Sequence, residues 1–501
     1  MDVFDGLLLG FSTSLSFVNI WYCFLGVLLG TFVGVLPGLG PTATIALLMP
    51  ITLSLAPVSA IIMLAGIYYG AMYGGSTTSV LVNIPGEAAS VITCLDGYQM
   101  AKQGRAGQAL GISAFGSFIA GTLATFGLAL FAPPVAKYAL KLGPPEYFAL
   151  VCLGLVAVTF LSQGSMLKSM AMICLGLILS TVGRDMMTGY PRFSYGIFEL
   201  EEGLDFVAVI MGLFGVSEIL INVETSLREQ REVYTKSITG LLPSRKDWSL
   251  SIGPIFRGSI LGFFLGVLPG GGAVLGSFAS YMTEVKLAKD PSIFGKGAIQ
   301  GVAGPEAANN AASQGAFIPL LTLGIPSNSV MAMLVGVLMI HGVQPGPLMM
   351  SKTPELFWGV ITSMYLGNFL LLVLNLPLIG LWVRMLLIPY GILFPLILMF
   401  CIIGTYSLNN RIFEIYLMVG FGVGGYLLKK LDYDPTPLIL AFVLGPMVED
   451  KFKHSLLIFD GDLSVFIRRP IAATFLTAAL LLVFLQLIPS LRRKKSAALR
   501  E

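Results

Sequence analysis

The stretch Gly34-Val35-Leu36-Pro37-Gly38-Leu39-Gly40 closes an apolar run and recurs 232 residues later as Gly266-Val267-Leu268-Pro269-Gly270-Gly271-Gly272. A second pattern also occurs twice, as Asn83-Ile84-Pro85-Gly86 and as Gly324-Ile325-Pro326-Ser327. Apolar segments that Gly and Pro interrupt at corresponding places in two halves are typical of transporters with internal repeats. The backbone groups freed at such breaks must face protein or water, because lipid cannot hydrogen-bond to them.

The composition places this chain in a membrane. Of its 501 residues 55% are hydrophobic and 11% are charged, whereas soluble domains carry about 25% charged residues. The mean hydropathy is +0.85, and no Asp, Glu, Lys or Arg occurs from Gly6 to Gly86. The apolar runs predict an all-α polytopic membrane protein with roughly 10–12 transmembrane segments of about 20 residues each. Some of these segments are expected to be broken, re-entrant-like helices.

Basic residues predict the orientation and the domain boundaries. The segment Asn222–Trp248 holds five Lys and Arg residues, and the tail contains Arg492-Arg493-Lys494-Lys495. Both are expected in the cytoplasm, and the N-terminus, which has no basic anchor, is expected outside. The two repeats would then be inverted. The expected parts are a first transmembrane repeat (1–221), a cytoplasmic linker (222–250), a second transmembrane repeat (251–450), and a last transmembrane helix with a basic cytoplasmic tail (451–501).

The sequence offers little for catalysis or for tight metal binding. Its five cysteines are scattered without metal-ligand spacing, and it has two histidines. Gly295-Lys296 lacks the glycine of a phosphate-binding loop. An intramembrane enzyme would need a nucleophile–base pair or clustered carboxylates, so we expect no enzyme and no cofactor. A stand-alone organic-anion transporter or channel remains an alternative to a permease that needs partners.

Glycines and hydroxyls in the first half are candidates for binding. Free N–H groups at the helix start after Pro37 carry partial positive charge that suits a carboxylate, and the hydroxyls in Gly74–Ser79 can coordinate Na⁺ or a carboxylate. Close helix packing also explains the glycines, and bonds to the helix's own carbonyls also explain the hydroxyls. We expect substrate contacts from Gly38, Gly40, Thr42, Ser76, Thr77 and Asn83, and a cation contact from Thr78.

Amides and a carboxylate are the candidates in the second half. The stretch Gly304–Ala312 places Glu306, Asn309 and Asn310 among small residues, and Ser327-Asn328-Ser329 follows Pro326. A helix N-cap alone also explains Ser327 or Asn328. We expect substrate contacts from Gly270, Gly272, Asn310, Ser327 and Asn328, and cation contacts from Glu306 and Asn309. Residues 74–86 and 313–327 are expected to form tips where two half-helices meet.

Several motifs in order resemble the large membrane subunit of tripartite tricarboxylate transporters over residues 17–450. The similarity rests on the two GxLPGxG copies and on Tyr73–Ser79, Asn83–Gly86, Asp96–Gly107 and Pro305–Ala312. The second GxLPGxG copy ends in Gly-Gly-Gly-Ala where the first has Gly-Leu-Gly-Pro, so the copies need not contact substrate equally.

The resemblance implies a multi-pass permease of a bacterial inner membrane. Such a subunit works with a small membrane subunit and a periplasmic solute-binding protein. It carries out secondary active uptake of a citrate-like tricarboxylate or related organic acid, by symport with Na⁺ or H⁺. The resemblance implies no nucleic-acid partner.

Overall fold

The computed structural model describes residues 2–36, 39–161, 165–185, 187–226, 238, 240–386 and 390–487. The helices of the first half are α1 Val3–Ser14, α2 Phe17–Gly34, α3 Pro41–Thr52, α4 Pro57–Val82, α5 Val91–Lys102, α6 Ala106–Ala139, α7 Pro144–Leu161, α8 Met166–Ser180, α9 Phe198–Glu201, α10 Phe206–Ile210 and α11 Ser217–Ser226. Those of the second half are α12 Arg245–Gly266, α13 Gly272–Leu287, α14 Gln300–Gly315, α15 Phe317–Leu323, α16 Ser329–Ile340, α17 Met349–Lys352, α18 Pro354–Asn375, α19 Ile379–Met385, α20 Tyr390–Asn409, α21 Ile412–Lys430, α22 Thr436–Ile458, α23 Val465–Arg468 and α24 Pro470–Leu487.

Within these described ranges, 7 helices are long and apolar enough to cross a membrane. Shorter apolar helices lie between them, among them α3 and α16, which have 12 residues each. At 1.5 Å per residue such a helix extends about 18 Å, short of the ~30 Å hydrocarbon core. The strands in the described part are limited to Gly183–Arg184 paired with Pro191–Arg192. The chain is therefore an all-α polytopic membrane protein, as its sequence predicts.

Helices α2 and α4 pack backbone to backbone through glycines. A Cβ atom at any of three α2 glycines would lie within 2.4 Å of an α4 carbonyl oxygen: Gly26 at Met63, Gly30 at Ile67, and Gly34 at Ala71. The contacts advance by four residues along both helices, so the helices run parallel. Small residues at this spacing let membrane helices approach closely.

Helices α12 and α14 repeat this arrangement. A Cβ atom at any of three α12 glycines would lie within 2.3 Å of an α14 carbonyl oxygen: Gly258 at Gly304, Gly262 at Ala308, and Gly266 at Ala312. The α12 glycines lie 232 residues after their α2 counterparts, and the α14 positions lie 241 residues after those on α4. In each half a short helix, α3 or α13, follows the glycine-bearing one. The repeated sequence pattern therefore corresponds to a repeated packing unit.

The expected tip at residues 74–86 is mostly wrong, because α4 is continuous to Val82. Three hydroxyls in this segment bond to carbonyls of their own helix: Ser76 to Met72 at 3.4 Å, Thr78 to Gly74 at 3.3 Å, and Ser79 to Gly75 at 2.9 Å. Such bonds satisfy the polar groups without interrupting the helix. The expected tip at 313–327 is similarly reduced, since α14 and α15 continue to Leu323.

The remaining breaks lie near the predicted prolines. The segments between helices are 83–87 after α4 and 324–328 after α15, and the GxLPGxG copies separate α2 from α3 and α12 from α13. Pro37 and Gly38 lie outside the described residues. The predicted linker 222–250 overlaps the ends of α11 and α12, and its central part and the basic tail also lie outside the described residues.

Candidate functional site

The segment 324–328, here called the second loop, touches both halves. The Gly270 N–H donates to the Ser327 carbonyl at 2.7 Å. Next to this loop the hydroxyls of Thr42 and Ser329 lie 3.0 Å apart, which joins the start of α3 to the start of α16. The Asn328 side chain accepts the Met331 N–H at 2.9 Å. Asn328 is therefore a helix cap, which was one of its two sequence interpretations.

The segment 83–87, here called the first loop, reaches the other half in a corresponding way. The Asn309 amide donates to the Glu87 carboxylate at 2.5 Å, and the Asn328 amide donates to the Tyr68 hydroxyl at 3.4 Å. Glu87 and Asn328 are 241 residues apart, and so are Tyr68 and Asn309. The two loops therefore make equivalent contacts with equivalent helices of opposite halves.

Glu306 on α14 forms a buried hydroxyl cluster with three other helices. Its carboxylate accepts hydrogen bonds from Ser76 of α4 at 2.6 Å, from Ser113 of α6 at 3.1 Å, and from Thr93 of α5. The side chain is 2% exposed. The candidates Ser76 and Glu306 thus lie together, although the sequence predicts a substrate contact for Ser76 and a cation contact for Glu306. None of the bonded partners of Glu306 is basic.

A narrow crevice lies between α4, α6, α14 and α18, beside the hydroxyl cluster. Two amide side chains face it, Asn310 and Asn368. Asn310 Oδ1 and both amide atoms of Asn368 are buried and have no hydrogen-bond partner among the described residues. The full lining is Tyr73, Ala114, Ser117, Phe118, Asn310, Asn368, Leu371 and Leu372. Unsatisfied buried amides are costly, but the crevice has no room for even a water molecule, so a polar ligand could reach them only if these helices move apart.

The crevice and the hydroxyl cluster are adjacent layers of the same three helices. On α6 and α14, Ser117 and Asn310 follow Ser113 and Glu306 by four residues, while on α4 Tyr73 precedes Ser76 by three. One helical turn is about 5.4 Å, so the layers are about that far apart. A ligand in the crevice would lie close to the Glu306 carboxylate.

The remaining candidates have different surroundings. Thr77 has a buried hydroxyl without a partner in the described part of the chain. Thr78 donates to the Val35 carbonyl at 2.8 Å and so joins α4 to the end of α2. Gly40 and Gly272 lie at the starts of α3 and α13, neither of which has a side-chain cap. Asn83 ends α4 in the left-handed conformation and is exposed. Gly38 lies outside the described residues.

Sequence reasoning missed several residues that the fold brings to this region. Thr93, Ser113, Ser117 and Asn368 are isolated polar residues in apolar runs, which is a weak signal. Asp96, part of a motif quoted above, accepts the N–H groups of Gly297 and Ala298 at 2.8 Å each. It therefore fixes the segment that leads into α14, the helix that carries Glu306 and Asn310.

A double-mutant cycle tests the contact between the starts of α3 and α16. Thr42→Val and Ser329→Ala each remove one hydroxyl of the pair, and we expect a coupling energy of about 0.5–1.5 kcal/mol, as for a neutral hydrogen bond. The measurement is the unfolding free energy in a denaturant titration of the detergent-solubilised protein. Additive effects, within about 0.3 kcal/mol, would contradict the contact.

Two proteins of Agrobacterium vitis are similar in sequence to this chain. A protein of Agrobacterium vitis described as an uncharacterised 52.8 kDa protein in the TAR-I ttuC′ 3′ region is 55% identical over 495 residues, which cover 99% of this chain and 98% of that protein. Another, described as an uncharacterised protein in the TAR-II ttuC′ 3′ region, is 55% identical over 234 residues, which cover 47% of this chain and 97% of that protein. No solved structure matches the chain.

The family comparison is specific. Residues 20–440 match the tripartite tricarboxylate transporter TctA family. This range contains the glycine contacts of both helix pairs and every candidate residue above. The family is one of transporter subunits rather than enzymes, and its tripartite organisation implies a solute-binding protein and a small membrane subunit as partners. The chain belongs to the tripartite tricarboxylate transporter TctA family.

Proposed function

We propose that this chain is the permease subunit for cation-coupled uptake of a citrate-like tricarboxylate or related organic acid across a bacterial inner membrane. The observation that carries the proposal is the family match over residues 20–440. The unpaired Asn310 Oδ1 and Asn368 amide between α4, α6, α14 and α18 support this region as the place where the solute binds once the helices separate. The Asn368 N–H groups and the hydroxyls of Tyr73 and Ser117 can donate hydrogen bonds to a carboxylate.

The crevice lining has no basic residue, which is compatible with a site that must release its anion as well as bind it. The eight lining residues include no Lys, Arg or His. Hydrogen bonds from neutral donors are weaker than those from charged donors, so an anion bound in this way is released more readily. A transport site must bind its solute and must also let it leave.

We propose further that the two halves are inverted. Ser76 bonds to Glu306 while Tyr73 shares the crevice with Asn310, so residue numbers fall along α14 as they rise along α4. This order supports an antiparallel relation between two helices that occupy equivalent places in their halves. The equivalent contacts of Glu87 with Asn309 and of Asn328 with Tyr68 support a pseudo-twofold axis between them. Rocking of one repeat against the other would then open the crevice to alternate sides.

Reconstitution tests the proposal. Proteoliposomes that contain the chain and its small membrane subunit receive the binding protein and radiolabelled citrate, or another tri- or dicarboxylate, on the outside. With an inward H⁺ or Na⁺ gradient we expect accumulation that an ionophore abolishes and that omission of the binding protein reduces. Failure to accumulate any carboxylate would contradict the proposed transport, and full-rate uptake by the chain alone would contradict its dependence on partners.

A further inference from the structure

We propose that the coupling ion is a proton and that Glu306 carries it. This inference rests on the proposed function, since it assigns the driving ion of the same site. It depends on three features of the hydroxyl cluster: the uncompensated charge of Glu306, the close spacing of the oxygen atoms, and the distance to the crevice.

Glu306 differs in its partners from most of the buried carboxylates. Glu414, which accepts the Asn409 amide at 2.7 Å, resembles it in bonding to a neutral group. Glu284 is bonded to Arg257 at 2.6 and 2.8 Å, and Glu146 is bonded to Arg469 at 3.0 Å. Asp96 receives two backbone N–H groups. Among the described residues, the groups that donate to Glu306 are hydroxyls. A carboxylate that is buried without a positive partner is costly in its ionised form, and adding a cation or a proton removes that cost.

The titratable groups around Glu306 do not neutralise it. Tyr73 on α4, Cys94 on α5 and Glu87 in the first loop interact with it electrostatically, and none of them becomes positively charged. The hydroxyl from α6 is that of Ser113. The nearby carboxylate of Glu87 adds a second negative charge when it is ionised. The surroundings therefore favour a bound positive charge at Glu306.

The oxygen spacing favours a proton over Na⁺. Oxygens that bind Ca²⁺, which is close to Na⁺ in size, lie about 2.3–2.6 Å from the ion. Neighbouring ligand oxygens around such an ion are therefore ~3.3 Å or more apart. Ser76 Oγ is 2.6 Å from the Glu306 carboxylate and Ser113 Oγ is 3.1 Å from it, which are direct hydrogen-bond distances. A proton on the carboxylate preserves these hydrogen bonds, whereas a Na⁺ ion shared by the same oxygens would require them to move apart.

The cluster can satisfy both protonation states of Glu306. The ionised form accepts from all three hydroxyls. The protonated form can donate to Ser76 Oγ, which lies 3.4 Å from the Met72 carbonyl and can turn its own hydrogen to that acceptor. In transport, one O–H bond forms at a carboxylate oxygen of Glu306 with a proton from the outer side, and the same bond breaks to release the proton inside. No electrons are transferred.

The distance to the crevice explains the coupling. A negatively charged solute about one helical turn from Glu306 disfavours the ionised carboxylate, and a protonated Glu306 favours binding of the anion. Each ligand then strengthens the binding of the other. The counterpart of Glu306 on α4, 241 residues earlier, is Ala65, so this device exists in one half only.

The experiment uses the reconstituted complex described above and the variant Glu306→Gln, which resembles the permanently protonated side chain. Carboxylate exchange across the membrane needs no net proton movement, so we expect exchange to persist in the variant and to become independent of pH. Net accumulation driven by one pH unit should fall from up to about tenfold per proton to none. Glu355→Gln, which makes the same change at an exposed position on α18, serves as the control and should behave as wild type.

A second variant keeps the test decisive if Glu306→Gln does not fold. Ser113→Ala removes one donor to the ionised carboxylate. Exchange in this variant should therefore be half-maximal at a pH about one unit higher than in the wild type. pH-independent accumulation driven by a Na⁺ gradient alone in the wild type, or ΔpH-driven accumulation by Glu306→Gln, would overturn the assignment. Absence of carboxylate exchange in the wild type would instead contradict the proposed function.

Discussion

Replacing Gly262 with Val should remove most of the folded protein. A Cβ atom at this position would lie 2.0 Å from the Ala308 carbonyl oxygen and 2.6 Å from the Ala308 Cα. Ordinary van der Waals contact needs about 3.5–4.0 Å, so α12 and α14 would have to separate by more than 1 Å. We expect a cost of at least about 3 kcal/mol, measured as lost monodisperse protein and a lower unfolding temperature.

Gly420→Val on α21 is the matched control for this substitution. A Cβ atom there meets nothing within 4 Å. The same residue change in a membrane helix should then cost little beyond the lower helix propensity of Val. A wild-type unfolding temperature for Gly262→Val would contradict the close packing of α12 on α14, and with it the position of Asn309 and Asn310.

Replacing Asn368 with Leu should stabilise the protein and weaken its binding of the carboxylate. The amide has no partner in the described part of the chain, so Leu, which has the same branched shape but is larger, removes a desolvation cost of about 1–3 kcal/mol. The same change removes a hydrogen bond to a charged ligand, which we expect to lower affinity about tenfold or more. The measurements are the unfolding temperature without ligand and equilibrium binding of radiolabelled citrate.

Three further variants separate binding from structure. Asn310→Leu and Thr77→Val also remove buried polar atoms without partners among the described residues, and Asn310→Leu should weaken binding in the same way. Asn375→Leu is the control, because Asn375 lies on α18 outside the crevice lining while its Oδ1, like that of Asn310, is buried without a partner among the described residues; its Nδ2 donates to the Leu371 carbonyl at 2.8 Å. A parallel loss of stability and binding in Asn368→Leu would indicate that Asn368 supports the fold and does not contact the solute.

The sequence predicted the repeat but not its packing surface. The breaks near Pro85, Pro269 and Pro326 could be located because Gly and Pro interrupt helices through local backbone geometry. The continuity of α4 up to Val82 could not be predicted in this way, since α4 is stabilised by close contact with the glycines of α2. The spacing of Gly26, Gly30 and Gly34 at intervals of four was the available signal for that contact.

Some residues of the candidate site could also be selected from the sequence, and others could not. Glu306 and Asn310 could be selected because a carboxylate and amides among small apolar residues are rare in membrane helices. Their partners Thr93, Ser113 and Asn368 come from helices far away in sequence, and a single polar residue in an apolar run does not specify its neighbour. The binding roles of all the candidate residues stay predictions, including those of Gly40, Thr42, Gly270, Gly272 and Ser327.

The most direct test of the proposed solute site is a cryo-electron microscopy map of the complete transporter with a tricarboxylate bound. We expect density for the solute between α4, α6, α14 and α18, with its carboxylates within about 3.2 Å of the Asn310 and Asn368 amides. Solute density at the starts of α3 and α13, next to Gly40 and Gly272, with none in the crevice, would contradict the proposed solute site.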